Sequence, residues 1–200
     1  MLLAISQIWP VKTCYFTDID SKAMQKFKTN MQHLPINLIA TEDRQTVCYN
    51  ADILVTLTAA KQAADLVDFD WLKPGALLCG IGGDTPGKTE LNEKVVNNCR
   101  IIVEYLEQTK KEGELQNIKD YSNVVSIYDV LNDNVAIREF EDQIVLFDSV
   151  GFGLEDFSVL MVLYKWLQQY GSGIEQVDFL PKMNNVKNLY GSLMSGVDLC

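Results

Sequence analysis

Basic charge is what this sequence has least of. Only three of its 200 residues are arginine (Arg44, Arg100 and Arg138), lysine and arginine together number 17 against 27 acidic residues, and the formal net charge is −10. Neutralising a run of phosphates takes clustered cations, so nucleic acid is not an expected partner. Histidine is scarcer still. His33 stands alone, and its place near an expected helix end suits a capping or surface role better than a catalytic one. The five cysteines (Cys14, Cys48, Cys79, Cys99 and Cys200) are odd in number, scattered and without a Cys-x-x-Cys pair. That argues against a disulfide framework or a zinc site and for free thiols in a reducing compartment, so the expected location is cytoplasmic. No membrane association is expected, because the apolar opening Met1 to Ile5 is too short for a span and no basic residue precedes it as in a signal peptide. Repeats, low-complexity tracts and long interior linkers are also missing, so residues 1–200 are read as one domain. With 48% hydrophobic residues, a sizeable core is within reach.

What is present is an alternation of short apolar strands and helices. Residues 1–9 read as the end of a helix stopped by Pro10, and Val11 to Phe16 as a strand. A helix from Ser21 to about His33 follows, capped by Asp20 or Ser21. Ile36 to Ala40 is a strand, Glu42 to Tyr49 a polar helix, and Asp52 to Thr58 a buried parallel strand. After a strand at Ala76 to Cys79 come a helix at Asn92 to Asn98, a strand at Arg100 to Tyr105, a charged surface helix at Glu107 to Gln116, a helix at Ser126 to Leu131 and a strand at Gln143 to Phe147. The helix from about Leu154 to Tyr170 carries Leu160, Met161, Leu163, Tyr164 and Leu167 on one side, a pattern read as core. The class this predicts is α/β, a Rossmann-like, doubly wound, mostly parallel sheet, whose order 3-2-1-4-5-6 would make its first strand central.

Ligands of such sheets bind outside the carboxyl ends of the strands. Three stretches lie there. Gly80-Ile81-Gly82-Gly83-Asp84-Thr85-Pro86-Gly87-Lys88 puts a carboxylate on a glycine hinge; Gly80, Gly82 and Gly83 are expected to allow close approach and positive φ, and Pro86-Gly87 to turn Lys88 back toward Asp84. Asp18, at the end of the first visible strand, stands where a ribose is gripped in Rossmann units, unless it only helps cap the next helix. Thr58 could hydrogen-bond a cofactor or be an ordinary strand-end threonine. One motif is lacking: a first strand followed by G-x-G-x-x-G/A, whose amides would hold a pyrophosphate. Gly80-x-Gly82 and Gly151-x-Gly153 are not in that context and are scored as decoys.

The segments GGDTPGKTEL, RIIVEYLEQTKKEGELQ (Arg100 to Gln116) and FDSVGFGLEDFSVL (Phe147 to Leu160), with similarity continuing through Val177 to Pro181, resemble the ornithine cyclodeaminase and mu-crystallin family over nearly the whole chain. The resemblance implies an enzyme converting L-ornithine to L-proline and ammonia with NAD that is reduced and reoxidised in one cycle. It implies Asp84 as the catalytic aspartate, whose pKa would be tuned by burial and by the cofactor's charge. Asp18, Thr58, Leu78, Cys79, Gly80, Ile81, Lys88 and Ser149 would be NAD contacts, with Val150 and Asp84 meeting the substrate. The competing class it leaves open is a mu-crystallin-like protein binding a nicotinamide cofactor and a small ligand, or an imine reductase. It also implies that these residues correspond to the carboxyl-terminal part of family members, which form homodimers through an N-terminal domain. The isolated chain is accordingly expected to be poorly soluble or partly unfolded, to bind NAD weakly and to be inactive.

Overall fold

The computed structural model describes residues 1–171 and Tyr190; the Val177 to Pro181 stretch and Cys200 lie outside the described residues. Among the described residues, seven strands form two sheets. β1 (Thr13–Phe16) pairs with β2 (Asn37–Ala40) in a two-stranded sheet, and β3 (Ile53–Thr56), β4 (Leu77–Gly80), β5 (Arg100–Val103), β6 (Val124–Ser126) and β7 (Val145–Asp148) form a five-stranded sheet ordered β3-β4-β7-β5-β6. Every pair in the larger sheet is parallel, as the continuous apolar runs require, since parallel sheets are covered on both faces. β5 is buried at all four positions, and Leu78, Val145 and Leu146 are fully enclosed. Each such side chain contributes roughly 1.5–3 kcal/mol.

Several helices start where the sequence offers side-chain acceptors for free amides. The carboxylate of Asp20 accepts from Lys22 N at 2.8 Å to open α2 (Ser21–Met31), resolving the capping choice in favour of Asp20. Asp43 caps α3 (Arg44–Asn50), and Asn92 caps α4 (Glu93–Asn98) through a 3.0 Å bond from Val95 N. Val95 and Val96 carry α4 into the core beside Leu115 and Ile101. α1 (Leu2–Ile8) ends at Trp9, before Pro10 as expected.

The chain divides into two compact units. One contains residues 1–14, 20–38 and the segment from 156 onward; the other, residues 15–19 and 39–155, contains the five-stranded sheet. β3 is an edge strand there, pairing only with β4 among the described residues. Where a doubly wound order would put a strand between β1 and β3, the described residues supply none.

Four expectations need correction. First, the strand beside β4 is β7, the last in sequence, whereas the order 3-2-1-4-5-6 would put β5 there; the fully buried Val145 and Leu146 fit that central place. Second, Glu107 to Gln116 is not one surface helix. It breaks into α5 (Leu106–Thr109) and a 3₁₀ turn (Glu114–Asn117), because Gly113 takes φ +79°, a left-handed geometry that ends a helix cheaply only at glycine. Glu114 and Leu115 then turn inward. Third, β6 precedes α6 (Ile127–Leu131), where only the helix is legible in the sequence. Fourth, α7 (Gly153–Tyr170) buries no residue; Leu160 is 63% and Tyr164 57% exposed, so the core reading of that helix is not met.

Candidate active site

Parallel register lines up Thr56, Gly80, Asp148, Val103 and Ser126 across the sheet. The chain leaves β3, β4 and β7 just beyond this row. Thr58, the loop from Ile81 to Lys88, and Ser149-Val150 therefore emerge from three adjacent strands at one sheet edge. Two main-chain bonds knit the exits together: Ile81 N donates to Thr56 O at 3.2 Å, and Ser149 N to Gly80 O at 3.0 Å. Leu78 and Cys79 are embedded in β4, with burial pushing the Cys79 thiol up to about 11. Asp18 is exposed and follows β1, so it belongs to the other sheet.

The turn after Asp84 does bring Lys88 back. Lys88 N donates to Thr85 O at 3.0 Å, Gly87 supplies φ +82°, and the Gln116 side chain braces the turn by accepting from Gly87 N at 2.7 Å and donating to Lys88 O at 3.0 Å. Lys88 Nζ then lies 2.9 Å from Asp84 Oδ1, which also accepts from Thr85 Oγ1 at 3.0 Å. The lysine side chain is 12% exposed and the aspartate 55%. The hydrogen bond from Lys88 holds the Asp84 carboxyl below its ordinary value. The expectation that burial tunes this group is thus corrected: Asp84 faces solvent, and its tuning comes from a lysine.

Gly80, Gly82 and Gly83 do not take positive φ. The reason for glycine at 82 and 83 is instead two buried carboxylates behind the loop. A Cβ at Gly82 would fall on the carboxyl group of Glu90, and one at Gly83 on Oε1 of Glu114. Glu90 is 1% exposed and its Oε1 accepts from both the amide (2.6 Å) and the hydroxyl of Thr58. Glu114, 2% exposed, accepts from Glu90 N at 2.9 Å and Leu91 N at 2.8 Å. Desolvation raises Glu114 to about 7, the nearby Glu90 charge adding to the rise and the two amides opposing it.

Two further acids sit under the β7 exit. Glu104, 5% exposed, follows β5 and accepts from Ser149 Oγ at 2.5 Å, Val150 N at 3.2 Å and Gly151 N at 3.1 Å. Asp148, fully buried, accepts from Glu114 N at 2.9 Å; burial lifts its carboxyl well above the usual range. Sequence reading missed Glu90, Glu104 and Glu114 as structural acids. The available signal was an acidic residue directly after an apolar parallel strand (Val103-Glu104) or directly after the glycine loop (Thr89-Glu90).

Gly82→Ala should therefore destabilise the fold by about 3 kcal/mol, since a pinned buried carboxylate must move. Gly87→Ala, whose Cβ meets nothing within 4 Å, should cost only about 1 kcal/mol for its left-handed backbone. Denaturant midpoints of the two variants check the order; equal losses would contradict it.

The comparisons with known proteins point to one group. The model of the ornithine cyclodeaminase/mu-crystallin family matches residues 1–170. An ornithine cyclodeaminase of Brucella melitensis biotype 1 is 35% identical over 192 residues, which are 96% of this chain and 53% of that protein. An alanine dehydrogenase of Archaeoglobus fulgidus is 29% identical over 171 residues, covering 82% of this chain and 52% of that protein. Among solved structures, an archaeal alanine dehydrogenase dimer with bound NAD superposes with a TM-score of 0.79 at 26% identity, over 90% of this chain and 56% of that one. A lysine cyclodeaminase structure matches with the same TM-score at 21% identity and supports the fold alone. The chain spans about half the length of the curated relatives it matches.

Proposed function

We propose, since the chain belongs to the ornithine cyclodeaminase/mu-crystallin family, that it forms the cofactor-binding part of an NAD-dependent enzyme converting L-ornithine to L-proline and ammonia. The observation that carries this reading is the Asp84–Lys88 pair at the end of β4, flanked by Thr58 and Ser149 on the neighbouring strands. The identity to several ornithine cyclodeaminases supports the substrate.

The residues present fit the nicotinamide and ribose parts of NAD. Hydroxyls of Thr58 and Ser149 stand just past strand ends, where open α/β sheets bind ligands, the main chain at Gly80-Ile81 borders them, and Asp18 follows β1, where a ribose would be held. The sequence offers no glycine-rich turn for the pyrophosphate. When bound, NAD would accept hydride from the substrate's α-carbon and give it back to the cyclic imine left after ammonia departs, so that the reaction is redox-neutral and ends at proline.

The chain's own contribution is proton handling and orientation. Asp84, kept ionised by Lys88, takes a proton from the α-ammonium group so that the nitrogen lone pair can assist oxidation to the α-imine. The δ-amine of ornithine then closes the ring by attacking that carbon. Asp84 returns the proton as the α-nitrogen leaves as ammonia. Lys88 holds the carboxylate on the loop, and Val150 borders the substrate.

The test uses a completed protein: this chain fused behind the amino-terminal half of the Brucella melitensis relative. Proline and ammonia formed from ornithine with NAD, without added reductant, is the expected result. NAD binding without turnover would favour the mu-crystallin-like binding alternative, and proline formation only from a cyclic imine plus NADH the imine reductase one. Asp18 should also set cofactor choice, because a carboxylate accepts from a ribose 2′-hydroxyl and repels a 2′-phosphate. NAD should bind at least about tenfold more tightly than NADP; equal affinities by titration would contradict the assignment.

A further inference from the structure

Both hydroxyls at the candidate site have already spent their hydrogen. The Thr58 hydroxyl donates to Glu90 Oε1, and the Ser149 hydroxyl donates to Glu104 Oε1 at 2.5 Å. A carboxylate can only accept, and a hydroxyl has a single hydrogen. Main-chain amides donate to the same carboxylates, Thr58 N to Glu90 Oε1, and Val150 N and Gly151 N to Glu104 Oε2, as they do to an ionised acid. Both acids are nine-tenths or more buried, so they touch the loops and not the ligand space.

Resting on the NAD reading above, we propose that Glu90 and Glu104 are positioning residues that make Thr58 and Ser149 acceptor-only contacts, so that the site selects ligand groups bearing N–H or O–H donors. β3 and β7 flank β4 and lie two strand spacings apart, about 9–10 Å. The two hydroxyls therefore meet two different donors. Ser149, next to the substrate-bordering Val150, takes the carboxamide NH₂ of the nicotinamide, and Thr58 takes a ribose hydroxyl. A phosphate oxygen offers no hydrogen to either residue, which assigns the pyrophosphate elsewhere.

The experiment compares NAD with its 3-acetylpyridine analogue, in which a methyl ketone replaces the carboxamide and the N–H donors are lost. Affinities are measured by calorimetry on the completed protein and on its Ser149→Ala and Glu104→Gln variants. The unsubstituted protein should prefer NAD by roughly five- to tenfold, the worth of one well-made hydrogen bond. Ser149→Ala should weaken NAD by about that factor, leave the analogue within about twofold, and so erase the preference. Glu104→Gln should erase it too, because the serine hydrogen is then free to face a ketone oxygen. A merely structural role of Glu104 would weaken both dinucleotides alike, and that outcome overturns its positioning role. If Glu104→Gln fails to fold, the serine variant still decides: a preference surviving Ser149→Ala overturns the proposal. Equal binding of the two dinucleotides by the unsubstituted protein would leave the NAD reading standing and sink this inference. Binding of neither would sink the NAD reading and the inference with it.

Discussion

Asp84→Asn in the completed protein is expected to lower kcat by roughly 10²–10⁴-fold, the usual worth of a positioned acid–base group, while changing NAD affinity by no more than about twofold. Asparagine keeps the size of the side chain and can still meet Lys88 and Thr85, but it cannot take a proton from the α-ammonium group. The location of the effect in kcat is the informative part, because a carboxylate that only helped bind the cofactor would show its loss in affinity. A variant retaining more than about a tenth of kcat would remove Asp84 from the acid–base role. Lys88 gives an independent check with a definite sign. Its hydrogen bond is the largest cause lowering Asp84, so Lys88→Met should raise the Asp84 pKa toward the ordinary carboxylate range. Activity of that variant should fall away at a higher pH on the acid side, measurable as a shifted acid limb in kcat/KM against pH. An unmoved limb would mean that another group titrates there.

The second large effect concerns stability. Glu114 sits near 4.5 in an unfolded chain and is raised to about 7 in the fold. Between those values the folded protein holds a proton that the unfolded chain has lost, so stability falls as pH rises from about 4.5 to about 7, and the penalty is complete above that. The size is about 3 kcal/mol from this group. Asp148, raised in the same direction, adds to the trend. Glu114→Gln removes one ionisation while keeping an oxygen to accept from Glu90 N and Leu91 N. It should be near neutral at pH 5 and stabilising by about 3 kcal/mol at pH 8, read from denaturant unfolding at the two values. Parallel stability curves for the variant and the unsubstituted protein would show that Glu114 is not a buried, strained acid.

Local pattern made the elements legible, and chemistry at their ends made part of the site legible. Apolar runs such as Leu77-Leu78-Cys79 and Val145-Leu146-Phe147 could be read as parallel strands because both faces are covered, and Asp20 and Asn92 announced helix starts through their capping side chains. The Pro86-Gly87 turn predicted the return of Lys88 because turn chemistry is local. Strand order was not local: nothing in residues 145–148 says that they lie between β4 and β5. The buried acids escaped for a related reason. Charged residues are read as surface, and only the tertiary fold brings Glu114 to the amides of Glu90 and Leu91, or Glu104 to Ser149. The same misreading assigned Glu107 to Gln116 to one exposed helix and explained the glycines at 82 and 83 by close approach and positive φ, when the carboxylates of Glu90 and Glu114 fill the space in which a side chain would stand. At α7, a helical apolar face looked like core, yet its side chains are exposed among the described residues; amphipathic spacing says that a face can be buried, not what buries it.

On the proposed mechanism, the chain contributes Asp84 to a reaction in which the α-nitrogen of ornithine leaves and the δ-nitrogen stays in the ring. Feeding the completed protein L-ornithine labelled with nitrogen-15 at the α-amine alone, with NAD and no reductant, tests this without intermediaries. Ring closure by the δ-amine predicts one labelled ammonia for each unlabelled proline. Label retained in proline, or an absence of both products from a folded protein that binds NAD, would contradict it.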